Sequence, residues 1–188
     1  MAQNTKKALA ESLDRLLRRK PLNKITIADI TEDCKISRMT FYYHFRDIYD
    51  LVGWICLEEG TRAVGSCLAY DTWEESFRSV CRSILENRGF VEAVYRSVRH
   101  DQIEEYLYRV LYHRIFAVVR DHTGAEPIPE TEQERIADFF TVAFVGVALR
   151  WVKRGFKETP EELTEGLSMI VNGQLDLAIR NYKERNPV

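Results

Sequence analysis

No stretch of this chain is apolar for long enough to cross a bilayer. The longest run, Phe139 to Leu149, spans eleven residues with Thr141 inside it, where a helical span needs about twenty. Nor does any stretch read as a signal peptide. A cytoplasmic protein with no membrane partner is therefore expected. The four cysteines, Cys34, Cys56, Cys67 and Cys81, include no C-x-x-C pair, and most fall on apolar helix faces, as buried thiols in a reducing compartment do. His100, His113 and His122 lack the i, i+4 spacing of a helical metal pair, so neither a metal nor another cofactor is expected. Enzyme signatures are missing too. There is no G-x-S-x-G, no H-E-x-x-H and no dinucleotide fingerprint. Gly60 and Gly65 have the spacing of a phosphate loop, but Ser66-Cys67 replaces the required Lys-Ser/Thr. Alternating strand patterns, internal repeats and low-complexity segments are likewise absent. With 45% hydrophobic residues among 188, the chain can build one substantial core or two small ones. An all-α protein is expected, and not an enzyme.

What is present is concentrated between Thr26 and Phe45, in TIADITEDCKISRMTFYYHF. Thr26 can cap a helix, with Asp29 three residues on completing a capping box. Ile27, Ile30 and Cys34 then share one face. Lys35-Ile36 breaks the run, and Ser37 can cap a second helix, RMTFYYHF. Two capped helices so close together describe a helix-turn-helix, a motif that sets its second helix in the DNA major groove. Phe41 and Phe45 would face inward, against Ile27, Ile30 and Ile36. Arg38, in the first turn, has a fork that can pair with guanine O6 and N7. Thr40, Tyr42, Tyr43 and His44 remain outside, where hydroxyl and ring N–H groups can donate to phosphate oxygens. Lys24, Lys35 and Arg46 surround the motif with positive charge.

Charge distribution agrees with such a partner. The net charge is −2, yet residues 1–50 carry ten Lys and Arg against seven Asp and Glu. A basic head on an acidic body suits a protein that touches DNA at one end.

The segment KITIADITEDCKISRMTFYYHFRDIYDLV resembles the N-terminal module of TetR-type (tetracycline-repressor-like) transcriptional regulators. Thr26, Ile30, Ile36, Ser37, Thr40, Phe41, Tyr42, His44 and Phe45 occupy the positions of that family's pattern. Met39 departs from it, standing where a small residue is common, and so does Ile48, where a phosphate-contacting Lys is common. The resemblance implies double-stranded operator DNA as partner. Its contact set would be Lys24, Thr26, Ile27, Ser37, Arg38, Met39, Thr40, Tyr42, Tyr43 and His44. It also implies a division into residues 1–46, the DNA-binding head, and residues 47–188, a helical sensing and dimerisation body.

Helical patterning continues beyond Arg46. Asp47 can cap a long helix to about Ala69, and Asp71-Thr-Trp-Glu74 signals another, which Arg88-Gly89 ends. A short helix follows, then a long one from Asp101 to about His122. Gly124 to Pro129 reads as a loop. Thr131 with Glu134 signals a helix to Arg154 with Gly155 as its stop, and Thr159-Pro160 opens the last. The total is about nine. Phe139–Leu149 is apolar around its whole circumference, so this helix must be covered on more than one side. It could be internal to one subunit or lie between two. In TetR-type proteins the last two long helices pair with their mates in a four-helix bundle. The implied homodimer interface is Phe140, Ala143, Phe144, Gly146, Val147, Leu167, Ile170, Val171 and Gln174. Tyr95, Tyr108, Tyr112, His113 and Phe116 offer aromatic walls with polar tips, a candidate site for an unknown effector, and Arg82, Arg96, Arg99 and Arg114 could meet an anionic one. The expected function is a repressor released from its operator by a small-molecule effector. The alternatives are an activator, a regulator controlled by a protein partner, or a helical adaptor that does not bind DNA.

Overall fold

A computed structural model describes residues 2–64, 70–97, 100–123 and 128–186. Helix α1 (Ala2–Leu17) is followed by a 3-10 turn at Leu22–Lys24, then α2 (Ile27–Asp33), α3 (Arg38–His44) and α4 (Ile48–Val64). After a 3-10 turn at Tyr70–Thr72 come α5 (Trp73–Glu86), α6 (Arg88–Ser97), α7 (His100–Thr123), α8 (Glu130–Lys153), α9 (Pro160–Val171) and α10 (Gln174–Arg185). No strand occurs among the described residues. The helix expected after Thr159 is present as two segments, because Gly173 adopts φ 78° and turns the chain between α9 and α10.

Three apolar clusters organise these elements. Leu9, Leu13 and Leu16 of α1 meet Ile30, Phe41 and Phe45, and the cluster extends to Leu51 and Val52 of α4 and Val94 of α6. The first turns of α4 are thus physically part of the head. A second cluster joins α7, α8 and α10 through Val119, Phe140 and Leu175, and a third joins α5, α8 and α9 through Cys81, Trp151 and Leu163. Helix α4 links head to body through α5 and α7. Gly53 makes that possible, since a Cβ there would lie 2.1 Å from the Tyr106 ring of α7.

Several start signals differ from expectation. Helix α8 begins at Glu130 behind Pro129, with no side-chain cap, so Thr131 is inside the first turn. Thr72 rather than Asp71 precedes α5, and Gly89 lies within α6 instead of ending its predecessor. Cys67, the end expected at Ala69, and most of the Gly124–Pro129 loop lie outside the described residues.

Candidate nucleic-acid interface and effector cavity

The head is fixed by local chemistry. Asp29 N–H donates to Thr26 Oγ1 at 3.1 Å, and Thr26 N–H donates to Asp29 Oδ2 at 2.7 Å, the reciprocal capping box. Lys20 Nζ stands 2.8 Å from the same carboxylate. Lys20 and Thr26 together hold the Asp29 pKa down to about 2. Helix α2 ends with Lys35 at φ 55°, while Ile36 N–H donates to Thr31 O and Lys35 N–H to Glu32 O. That is a Schellman ending, and it makes the tight break before α3. Ser37 Oγ then accepts from Thr40 N–H at 3.1 Å and caps α3. Beneath, Ser12 Oγ donates to Ile30 O and Arg15 grips Asp33 at 2.6 Å, tying α1 to α2.

This arrangement turns one face of α3 outward. Met39 and Tyr43, one turn apart, are 82% and 83% exposed, and Tyr42 is 59% exposed. Such exposure of large side chains in a small domain marks a surface that is built for contact. Arg38, Ser37, Lys24 and Thr26 are exposed beside them. Ile27, Thr40 and His44 are half-buried at the edge, with the Thr40 hydroxyl 2.8 Å from Ser37 Oγ. None of the ten residues expected to contact DNA is buried. Lys6 of α1 lies over the Phe45 and Trp54 rings at 5.5 and 5.6 Å. No spacing rule in the sequence announces that contact, because it joins residues far apart along the chain.

The body holds a cavity of about 140 Å³ between α4, α5, α7, α8 and α10. Its walls are Trp73, Phe77 and Ile84 of α5, Leu107, Val110, Leu111, Ile115 and Val119 of α7, and Phe140 and Phe144 of α8. A second cavity of about 440 Å³ adjoins it and is bounded by α1, α4 and α6. The residues of the expected aromatic site are spread over different surroundings. Tyr95 lines the second cavity, but Tyr108, Tyr112, His113 and Phe116 line neither. Tyr108 and Tyr112 stack at 5.4 Å and Tyr112 and Phe116 at 6.1 Å, on the face of α7 turned toward α8. Tyr108 donates to Asp138 at 2.8 Å, and burial followed by that hydrogen bond pushes its pKa up to about 12. His113 is exposed. The signal that would have found the wall is the spacing of Leu107, Val110, Leu111, Ile115 and Val118, a second helical stripe on α7. Arg82 is likewise turned away from the cavities, held by Glu161 at 2.6 Å, and Arg96 pairs with Glu92. Arg99 lies outside the described residues.

The expected dimer set divides in two. Ala143, Gly146, Ile170 and Gln174 are exposed, whereas Phe140, Phe144, Val147, Leu167 and Val171 are turned into the subunit's own clusters. A helix apolar on all sides offers two faces, and the larger side chains take the inner one. The outer face adds Phe139, 67% exposed, and Val142 on α8, Met169 on α9 and Leu177 on α10.

Comparison with known proteins agrees with this geometry. A family model of TetR type, described as the transcriptional regulator C-terminal region, matches residues 71–173. The HTH-type dhaKLM operon transcriptional activator DhaS of Lactococcus lactis subsp. lactis (strain IL1403) is 25% identical over 91 residues, 48% of this chain and 49% of that protein. The chain thus matches about half of that relative's length. Among solved structures, the dihydroxyacetone kinase operon activator DhaS superposes with a TM-score of 0.68 at 19% identity, over 92% of this chain and 97% of that one. The TetR family repressor AlkX from Dietzia sp. strain DQ12-45-1b, implicated in biodegradation of n-alkanes, gives 0.60 at 13% identity, over 93% and 96%. At those identities the likeness is one of fold.

Proposed function

The chain belongs to the TetR family of transcriptional regulators, and we propose that it acts as a homodimer whose two heads, residues 1–46, bind the two halves of an operator. The observation that carries this is the outward face of α3, where Arg38, Met39, Tyr42 and Tyr43 stand exposed on a helix locked from beneath by its own caps. Arg38 would read a base edge, while Tyr42, Thr40 and Lys24 would hold phosphates. Residues 47–188 would form the sensing and dimerisation body. Its apolar outer face on α8, α9 and α10 would pair with a second copy, since two-fold half-sites call for a two-fold protein. A ligand in the cavity of the body would favour one arrangement of the heads over another and so change operator affinity.

Repression is the default sign of regulation. Activation is the second reading, favoured by the relative named as an operon activator. The test is binding of the purified protein to fragments of its own genome at increasing salt. Sequence-selective binding that weakens steeply with salt, about 0.9 in logarithmic slope per phosphate contact, is expected. Equal, weak retention of every fragment would contradict the reading.

A further inference from the structure

The two cavities described above are neighbours. Gly60, Val80, Ile84, Leu107 and Ala148 line both, so these five residues lie between the smaller chamber, called the inner one below, and the larger, called the outer one. The inner chamber is a poor host for a polar guest. Its polar side-chain groups are Ser76, which has a partner, Tyr70, whose hydroxyl donates to Asp176 at 2.7 Å, and the Trp73 indole N–H, which donates to Asn172 Oδ1 at 3.0 Å. Among the described residues no buried side-chain nitrogen or oxygen lacks a hydrogen-bond partner. A sugar or polyol entering it would give up its bonds to water and find few donors or acceptors in return. Apolar cavities of this kind stay dry and accept apolar guests.

The outer chamber is different in where it lies. Ala10, Glu11, Asp14 and Arg15 of α1 form one side of it, facing Phe90, Val94 and Tyr95 of α6. Arg15 is the residue that grips Asp33 at the end of α2. A molecule in the outer chamber therefore touches the helix that is tied directly to the helix-turn-helix. Gly60 has no side chain to fill the space between the two chambers, and an added Cβ would stand in contact with Val110 Cγ1 at 3.4 Å.

We propose that the effector is an uncharged, hydrocarbon-rich chain, and that its length decides whether it regulates. A short chain fills the inner chamber and leaves the head as it was. A longer one passes Gly60 into the outer chamber, presses on α1 and shifts the operator equilibrium. This rests on the reading of the body as a ligand-responsive regulator. It goes further by naming the ligand class and by separating occupancy from response.

The experiment uses the full-length protein and displacement of the apolar dye N-phenylnaphthylamine by straight-chain alkanols, with operator affinity measured in parallel. Affinity should rise by about fourfold per added methylene, the fold-change that corresponds to burying one CH₂. At equal saturation decanol should lower operator affinity at least about tenfold and hexanol should leave it unchanged. Dihydroxyacetone should displace nothing. Gly60→Leu and Ala148→Leu place bulk between the two chambers. In either variant the gain per methylene should stop at a shorter chain than in wild type, with hexanol binding retained. If a variant loses its helical signal, the wild-type length series still decides. The proposal is overturned if dihydroxyacetone displaces the dye, or if hexanol and decanol at equal saturation act alike on the operator complex. A chain-length limit that is the same in wild type and either variant, when folded, overturns it too. Operator binding without ligand is read first. Its absence would defeat the regulator itself, whereas intact operator binding with a flat length profile defeats only the two-chamber account.

Discussion

Single side chains set the chemistry of the head. Arg38 stands exposed at the first position of α3. Arg38→Ala should cost about 1–3 kcal/mol at one base pair of the operator and flatten preference there. Competition binding against single-base variants of the site checks this. Gly53 is decisive in another way. Gly53→Ala would drive a methyl into the Tyr106 ring, so α4 and α7 must separate or the ring must move. A loss of about 1–3 kcal/mol is expected, the usual cost of overpacking. Thermal melting measures it, and Tyr106→Ala in the same chain should relieve part of the loss. A third prediction concerns acid. The Asp176 carboxylate is hydrogen-bonded by Tyr70 and lies 2.7 Å from His122 Nε2, and these contacts, His122 first, hold its pKa below the usual carboxylate value. A carboxylate with a depressed folded pKa contributes stability above its unfolded pKa of about 3.9, and that stability is lost as pH falls through the folded value. Asp176→Asn should remove this part of the acid sensitivity. A melting temperature compared between neutral pH and about pH 3 should fall less in the variant than in wild type.

At the scale of elements, local signals were legible and face assignments were not. The caps at Thr26, Ser37 and Thr159 depend on residues three apart, and all three are formed as read. Thr159 forms a full capping box, with Thr159 N–H donating to Glu162 Oε2 at 2.8 Å. Thr159→Ala should destabilise the body by about 1 kcal/mol, measured by denaturant midpoint, with operator contacts unaffected in the folded fraction. Thr131 has the same residue types but follows Pro129, whose carbonyl already accepts from Glu132 and Gln133, so the helix starts earlier. The aromatic stripe Tyr108, Tyr112 and Phe116 shows the deeper difficulty. Period 3.6 reveals that α7 has two apolar faces. Which face meets α8 and which borders a void depends on the placement of α4, α5 and α10, and no single-helix pattern carries that. The same holds for α8, where Phe140 and Ala143 are both apolar but the first is buried and the second exposed.

As a whole, the molecule is proposed to act as a two-fold protein on a two-fold site. The resemblance in residues 1–50 made the head legible, because its motif is short and its residues are neighbours in sequence. The proposed dimer would use the outer face of α8, α9 and α10, where Phe139, Val142, Met169 and Ile170 are exposed. Gly146 lies on that face, and a Cβ added there meets nothing within 4 Å. Gly146→Glu therefore leaves the subunit's own packing intact, while in a dimer it sets two charges near the axis, opposed by desolvation and repulsion. Footprinting of the operator by wild type and Gly146→Glu, with the mass of each by light scattering, tests the account most directly. Wild type should be a dimer that protects two inverted half-sites about one helical turn, or a multiple of it, apart. Gly146→Glu should be a folded monomer that protects neither at the same concentration. A monomeric wild type, or a folded Gly146→Glu monomer that protects the whole site as well as wild type does, would contradict it.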